Sequence, residues 1–142
     1  MLKFDVLGTK ALKTAIEKAE SKLVEGVDMA LEASAYHINT QQKILAPKDF
    51  GKLAGGNDID VTKPLYKVLE NKVKYAPYQE FGTGTHVFMG ESWVDAELEE
   101  IASHFKSNRN LRKVNLYPRP FFYKPFYEEK PRLIKAIKDI LK

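Results

Sequence analysis

The first part of the chain carries apolar and polar residues with helical spacing. After Thr9, a suitable N-cap, apolar or small residues recur every three or four positions, which is typical of one face of an amphipathic helix. These residues are Leu12, Ala15, Ile16, Ala19, Leu23, Val27, Ala30, Leu31, Ser34, Ala35 and Ile38. Pro47 ends the pattern, because a proline disfavours helical conformation at the residue before it. We therefore predict a helix over residues 9–43.

Such a helix is long for the size of the chain. It would extend roughly 50 Å at about 1.5 Å per residue, and a domain of this size is barely that wide. The helix must then kink, with Gly26 as the natural place, or pack part of its apolar face on another chain. The face consists mainly of small and medium-sized side chains, which suits close contact between helices. We favour self-assembly, and packing within one core is the simpler alternative.

Short segments with strand-like alternation follow a loop at residues 46–57. In these segments Val, Leu, Ile and Tyr alternate with charged residues, as in half-buried antiparallel strands. The predicted strands are residues 59–62, 65–70 and 72–75. Asn71 is a natural turn position between the last two strands. The pattern predicts a small antiparallel sheet.

Two further helices are predicted in the second half of the chain. Residues 91–107 place on one helical face the apolar side chains of Val94, Leu98, Ile101 and Phe105. Residues 117–122 cannot be helical, because each of their two prolines restrains itself and its neighbour. A closing helix, with Pro125 or Pro131 in its first turns, has an apolar face of Leu133, Ile134, Ile137 and Leu141. This order predicts an α+β fold: a long N-terminal helix, a small antiparallel sheet, an inserted helix and a C-terminal helix.

Composition indicates a single globular domain. The chain has 142 residues, of which 44% are hydrophobic and none is cysteine. This length suits one hydrophobic core, so we predict one domain over residues 1–142. Without cysteine, the protein can form neither disulfides nor thiolate metal sites. No apolar run resembles a secretory signal or a membrane span, so we expect a soluble protein that is made in the cytosol.

Positive charge is concentrated near the C-terminal end of the chain. The net charge is +4 overall, but residues 106–142 contain eleven basic and three acidic residues, a net charge of +8. Such asymmetry is typical of proteins that bind nucleic acid or an acidic protein. The alternative is a solvated helix face that acidic residues elsewhere balance. We favour this alternative, because the basic residues match no nucleic-acid-binding motif.

The residue types that carry catalysis do not form a recognisable set. His37, His86 and His104 are far apart, and none is followed by a metal-ligand residue three or four positions later. The Gly82-Thr83-Gly84 segment lacks the lysine and the spacing of a phosphate-binding loop. We therefore predict no catalytic residue, no cofactor, no metal and no enzymatic activity.

Aromatic residues are concentrated in the second half of the chain, many of them beside prolines and glycines. They are Tyr75, Tyr78, Phe81, Phe88, Trp93, Tyr117, Phe121, Phe122, Tyr123, Phe126 and Tyr127. Aromatic residues often anchor protein interfaces. The same side chains can fill the core between a small sheet and three helices, and we expect both roles for different members.

Three segments occur in an order that resembles a known family. They read Ala-Pro-Lys-Asp-Phe-Gly-Lys-Leu at 46–53, Tyr-Ala-Pro-Tyr-Gln-Glu-Phe-Gly-Thr at 75–83 and Pro-Arg-Pro-Phe-Phe-Tyr-Lys-Pro at 118–125. With the long first helix and the short last one, they resemble the tail-component family of long-tailed bacteriophages, which comprises head–tail neck and tail-completion proteins. The candidate interface or structural motif consists of Pro47, Asp49, Gly51, Leu53, Tyr75, Tyr78, Glu80, Phe81, Gly82, Thr83, Pro118, Arg119, Pro120 and Phe121.

The chain departs from the family pattern at three places. The Phe-Tyr-Lys-Pro-Phe run at 122–126 is bulkier than the usual closing motif. Phe50 stands where members usually have threonine, and residues 85–116 look like an insertion relative to shorter members. Within the second segment, Glu80 lies close to two aromatic residues. We expect its carboxylate to accept backbone N–H bonds or to pair with Arg119.

The resemblance implies a structural protein of a phage virion at the head–tail junction, made in the host cytoplasm. Its members complete the tail or connect it to the head, and a ring is the natural way to repeat one interface around a channel. The implied partners are further copies of this chain and phage head-closure, tail-terminator or tail-tube proteins, with no membrane. DNA would be a further contact if the basic C-terminal third faces the channel. The alternative is a nucleic-acid-binding module that uses this basic third.

Overall fold

The computed structural model describes residues 2–7, 21–48, 51–87, 95–106 and 116–142. Its elements are, in chain order, β1 (Leu2–Leu7), α1 (Ser21–Leu45), α2 (Lys52–Gly55), β2 (Asn57–Lys63), β3 (Tyr66–Asn71), α3 (Ala76–Phe81), a 3₁₀ turn (Gly84–His86), α4 (Ala96–Ser103) and α5 (Tyr123–Ile140). The last helix packs on α1, which also contacts β2 and β3. The predicted α+β fold is confirmed.

Helix α1 follows the hydrophobic pattern of the sequence. It continues through Gly26 without a break, and its inner face buries Val27, Leu31, Ala35, Ile38 and Gln42. The helix ends two residues later than predicted, and the N–H of Ala46 bonds to the carbonyl of Gln42. The predicted N-cap Thr9 and the first turns of the predicted helix lie outside the described residues.

The sheet is antiparallel, with β3 between β1 and β2. The predicted strands 59–62 and 65–70 correspond to β2 and β3. The third prediction was wrong, because residues 72–75 lead through a turn into α3. The missing edge is β1, whose residues Leu2 to Leu7 pair with Asn71 to Tyr66. Residues 2–6 carry a strand signal that was missed: apolar Leu2, Phe4 and Val6 alternate with charged Lys3 and Asp5.

Asn71 does not form the predicted turn but ties three segments together. Its side chain is buried, and its Nδ2 donates to the carbonyl of Leu53 at 2.8 Å and to Oδ1 of Asn57 at 2.6 Å. Its Oδ1 accepts from the N–H of Val73 at 2.9 Å. Both the donors and the acceptor of this buried amide are therefore used to hold α2 and the end of the β2–β3 hairpin.

The other end of the hairpin is fixed to α1 by a buried lysine. The side chain of Lys67 is 1% exposed, and its Nζ lies 2.8 Å from Oδ1 of Asp28. The same Nζ donates to the carbonyls of Val61 and Lys63 at 3.1 Å. The Asp28 carboxylate also accepts from the N–H of Leu65, at 2.7 Å, where the backbone has a φ of 58°. One carboxylate thus neutralises the buried cation and holds the tight turn.

The two later helices occur close to the predicted places. In α4, Asp95 is the N-cap, and its carboxylate accepts from the N–H of Leu98 at 2.9 Å and from the hydroxyl of Tyr127 at 2.8 Å. Pro125 lies in the first turn of α5, as predicted. Three positions on the predicted apolar faces were wrong, because Ile101, Ile134 and Leu141 are 37%, 43% and 43% exposed. Val94, and with it the predicted start of the second helix, lies outside the described residues.

The buried ammonium of Lys67 makes the Asp28 carboxylate important for stability. We expect Asp28→Asn to lower the free energy of unfolding by about 2 kcal/mol, because the buried cation loses its counter-charge while Leu65 keeps its acceptor. Urea unfolding of the purified protein measures this change. The control is Asp58→Asn, whose exposed pair with Lys72 is expected to contribute at most about 0.5 kcal/mol. Equal effects of the two substitutions would contradict the assigned role of Asp28.

Candidate functional site: a buried junction around Glu80

The second and third segments of the family-like pattern meet side by side. The N–H of Arg119 donates to the carbonyl of Gln79 at 2.7 Å. Thr83 is bonded twice to Leu116: its N–H donates to the Leu116 carbonyl at 3.0 Å, and its Oγ1 accepts from the Leu116 N–H at 2.9 Å. The proline-rich segment before α5, which cannot form helix hydrogen bonds, is thus paired with the turn that follows α3.

The close approach of these segments requires a glycine at position 82. Gly82 caps α3 with its N–H bonded to the Tyr78 carbonyl and has a φ of 76°, a conformation that side-chained residues rarely adopt. A Cβ at this position would lie 2.7 Å from the carbonyl oxygen of Leu116 and 3.0 Å from Pro118. The glycine of the Glu-Phe-Gly-Thr turn is therefore explained by backbone packing.

At the centre of the junction is the carboxylate of Glu80. Its side chain is fully buried, and its Oε2 accepts from the N–H groups of Phe121 at 2.7 Å and Phe122 at 2.9 Å. Its Oε1 accepts from the N–H of Tyr123 at 3.0 Å. Since Tyr123 is the first residue of α5 and Phe122 offers no side-chain cap, Glu80 supplies the cap from a distant segment.

This geometry distinguishes between the two roles expected of Glu80. The acceptor role for backbone N–H bonds is confirmed. The pairing with Arg119 was wrong: the Arg119 side chain is exposed, and within the described part of the chain it forms no ion pair with Glu80. The physical reason is that backbone N–H groups of residues 121–123 already bond to both oxygens of the buried carboxylate.

Burial sets the protonation of the groups in the junction. Desolvation raises the pKa of Glu80 to about 7, although the N–H bonds from Phe122, Tyr123 and Phe121 act to lower it. Desolvation also raises the pKa of the Tyr123 hydroxyl to about 12, with smaller contributions from the charges of Glu80 and Glu97. The junction is therefore a place where a proton can be bound near neutral pH.

Aromatic rings close the junction from several sides. Phe81 stacks on Phe105 at 5.1 Å between ring centroids and lies 5.8 Å from Tyr123. Phe81, Phe121 and Phe122 are fully buried, so these members of the aromatic set belong to the core. Tyr117 differs, because it is 70% exposed and stacks at 3.9 Å on His86. The core role is therefore confirmed for these three rings, and Tyr117 lies at the surface.

The first segment of the pattern lies apart from Glu80. Pro47 is buried, Gly51 starts α2 with a φ of 67°, and Leu53 is buried with its carbonyl bonded to Asn71. Asp49 lies outside the described residues. The end of α1, just before this segment, is linked to the junction, because Nε2 of Gln42 donates to the carbonyl of Phe122 at 2.8 Å.

Two polar contacts between α1 and α5 complete the surroundings and were not anticipated from the sequence. The hydroxyl of Ser34 donates to Oε1 of Glu129 at 3.0 Å, and Nε2 of His37 lies 3.6 Å from Oε2 of the same carboxylate. Gln42 forms the third link, described above. The available signal was a serine and a glutamine on the buried face of a long helix, which predicts a polar partner but does not identify it.

Three further residues of the candidate motif are half-buried: Tyr78, Pro118 and Pro120. Tyr75 is 41% exposed. Within the described ranges, no group of three or more His, Asp or Glu side chains is arranged to hold a metal ion. Over the same residues, no helix is both long and apolar enough to cross a membrane. The arrangement can position backbone and bind a proton, and its chemistry is that of a structural junction.

Comparisons of the chain with models of protein families, with curated proteins and with solved structures found no match.

The packing at Gly82 predicts a large effect of a single methyl group. We expect Gly82→Ala to lower the free energy of unfolding by at least about 2 kcal/mol, because it combines an unfavourable φ with a contact to the Leu116 carbonyl. Gly55→Ala is the matched control, since a Cβ at Gly55 would touch nothing within 4 Å. Thermal unfolding of both variants measures the difference, and similar midpoints would contradict the account.

The raised pKa of Glu80 predicts a pH-dependent stability. A carboxyl whose folded-state pKa lies above its unfolded value stabilises the fold below about pH 4.5, and this contribution is lost as the pH rises through about 7. Between pH 4.5 and 8, we expect wild-type stability to fall by about 3 kcal/mol relative to Glu80→Gln, which cannot titrate. Urea unfolding at a series of pH values checks this, and parallel curves for the two proteins would contradict it.

Proposed function

We propose that this chain is a structural protein of a bacteriophage virion, located at the head–tail junction. There it completes the tail or connects it to the head as a ring of identical subunits. The observation that carries the proposal is the meeting of the second and third family-like segments in one junction, where Glu80 and Gly82 have specific structural tasks. That these residues serve one interlocked structure supports the proposal.

The outer rim of the junction supports a role in assembly. Tyr117 and Tyr75 are both exposed beside a rigid core, and stacking on His86 restricts the Tyr117 ring. An exposed aromatic side chain that is already held in place loses little conformational entropy on binding, which makes it a suitable anchor for a partner. We propose further copies of this chain and neighbouring head-closure, tail-terminator or tail-tube proteins as these partners.

A second candidate function is nucleic-acid binding through α5. The exposed lysines on this helix and just after it are Lys130, Lys135, Lys138 and Lys142. Asp139 lies 3.5 Å from the last of them. In the virion this surface would meet DNA only if it faces the channel. As a function of the isolated protein, it requires affinity for duplex DNA that persists at physiological salt and falls steeply above it. Binding that vanishes at physiological salt would exclude this candidate.

Electron microscopy of a phage with a stop codon in this gene tests the proposed function. We expect filled heads beside separate tails of normal length, because the two assemble independently and lack the joining subunit. Overlong tails would narrow the role to ending tail growth. Normal infectious particles would overturn the proposal.

A complementation control separates loss of the protein from loss of its fold. Wild-type protein and Gly55→Ala, supplied from a plasmid, should restore joined particles, because Gly55 lies in open space. If the unfolding measurement shows that the Gly82→Ala variant does not fold, this variant should fail to restore joined particles.

A further inference from the structure

The outward face of α1 carries an exposed apolar stripe that the junction does not use. Its members are spaced by four, three, four and four residues, which places them on one side of the helix. They are Met29, Ala33, Tyr36, Thr40 and Ile44. The three large side chains, of Met29, Tyr36 and Ile44, are 65%, 49% and 58% exposed. The stripe extends about 22 Å along the helix.

The hydroxyl of Thr40 does not oppose burial of the stripe. The hydroxyl of Thr40 donates to the carbonyl of Tyr36 at 2.9 Å, so the threonine can face a partner without leaving that hydroxyl unbonded. The stripe itself contains no charged residue. Opposite charges border its two ends, with Glu25 near the start and Lys43 near the finish, both exposed.

We propose that the stripe pairs with the same stripe of a second copy of this chain, with the two helices antiparallel. In this register, residue numbers that face each other add up to about 69. The small Ala33 then lies opposite the large Tyr36, and Met29 lies opposite Thr40. At each end of the contact, Glu25 of one copy reaches Lys43 of the other.

Size and charge both favour this arrangement over a parallel one. A parallel pair would place Tyr36 on Tyr36 and bring two Glu25 carboxylates together, which costs free energy through crowding and like-charge repulsion. In the antiparallel pair, Tyr36 and Met29 face smaller side chains, Ile44 faces the aliphatic part of Glu25, and two equivalent ion pairs form. Self-complementarity of this kind is what an isologous two-fold interface requires.

The pairing does not depend on the proposed virion function. A two-fold contact cannot close a ring by itself, so a ring would need a second contact and would use this one to join two subunits. One helix face is also small compared with the roughly 800 Å² per partner of a stable interface. We therefore expect a reversible dimer that forms between about 10 µM and 1 mM protein.

Sedimentation equilibrium of the purified chain tests the interface. Tyr36→Glu should weaken the dimer at least about tenfold, because it places an unpaired charge at the centre of the contact. Ile134→Glu is the control, because this exposed residue of α5 lies on a different face and should leave the dimer unchanged. A chain that stays monomeric to about 1 mM, or a dimer that Tyr36→Glu does not weaken, would overturn the proposal.

Charge reversal tests the register independently of folding. Glu25→Lys and Lys43→Glu should each weaken the dimer about threefold to tenfold, since each disrupts two symmetric ion pairs. The double variant should restore the affinity, because the pairs re-form with their signs exchanged. Failure of the double variant to recover would exclude this register.

Disulfide trapping tests the orientation, and it benefits from the absence of native cysteines. Under mild oxidation, Met29→Cys combined with Thr40→Cys should give a covalent dimer, because the antiparallel register places these positions opposite each other. Met29→Cys alone should not cross-link faster than Lys138→Cys, an exposed position on α5. Rapid cross-linking of Met29→Cys alone would instead indicate parallel helices and overturn the proposal.

Discussion

The fold depends on one buried carboxylate that accepts three backbone N–H groups. The start of α5 follows a proline-rich segment and has no local cap, so its first N–H groups need an acceptor from elsewhere in the chain. Glu80 supplies that acceptor and thereby fixes where α5 begins. Once the start is fixed, α5 lies on α1 with Glu129 beside Ser34, and Gln42 holds the Phe122 carbonyl. Removal of the carboxylate would therefore affect the core as well as the cap.

The neighbouring residues of the junction serve the same constraint. For Glu80 to reach the α5 backbone, the chain after α3 must turn sharply and pass close to residues 116–119. Gly82 permits both the turn and the close approach. Hydrogen bonds of Thr83 with Leu116 and of Arg119 with Gln79 then hold the two segments together. The short pattern Glu-Phe-Gly-Thr is thus a set of coupled requirements, in which the glutamate cannot act without the glycine.

The sequence was informative where local periodicity decides structure and uninformative where pairing decides it. Helix α1 and strands β2 and β3 follow from spacing, because one face of each is buried. Strand β1 has the same alternation of apolar and charged residues, but its place beside β3 follows only from the register of the two strands. Residues 72–75 also alternate like a strand, although they form a turn. The position of Glu80 beside two aromatic residues suggested that its carboxylate accepts backbone N–H bonds. Its partners lie 41 to 43 positions away, and no local pattern identifies contacts at that distance.

The junction is buried inside the protein, so the residues that hold it together are not the residues that a partner could contact. Glu80, Phe81, Gly82 and Phe121 are buried, so a substitution there acts on other copies or partners only through the fold. A partner could touch only outward residues, such as Met29 and Tyr36 on α1, Tyr117 beside the junction and Tyr75 within the family-like pattern. The exposed side chains available for contact are therefore not those that hold the junction together.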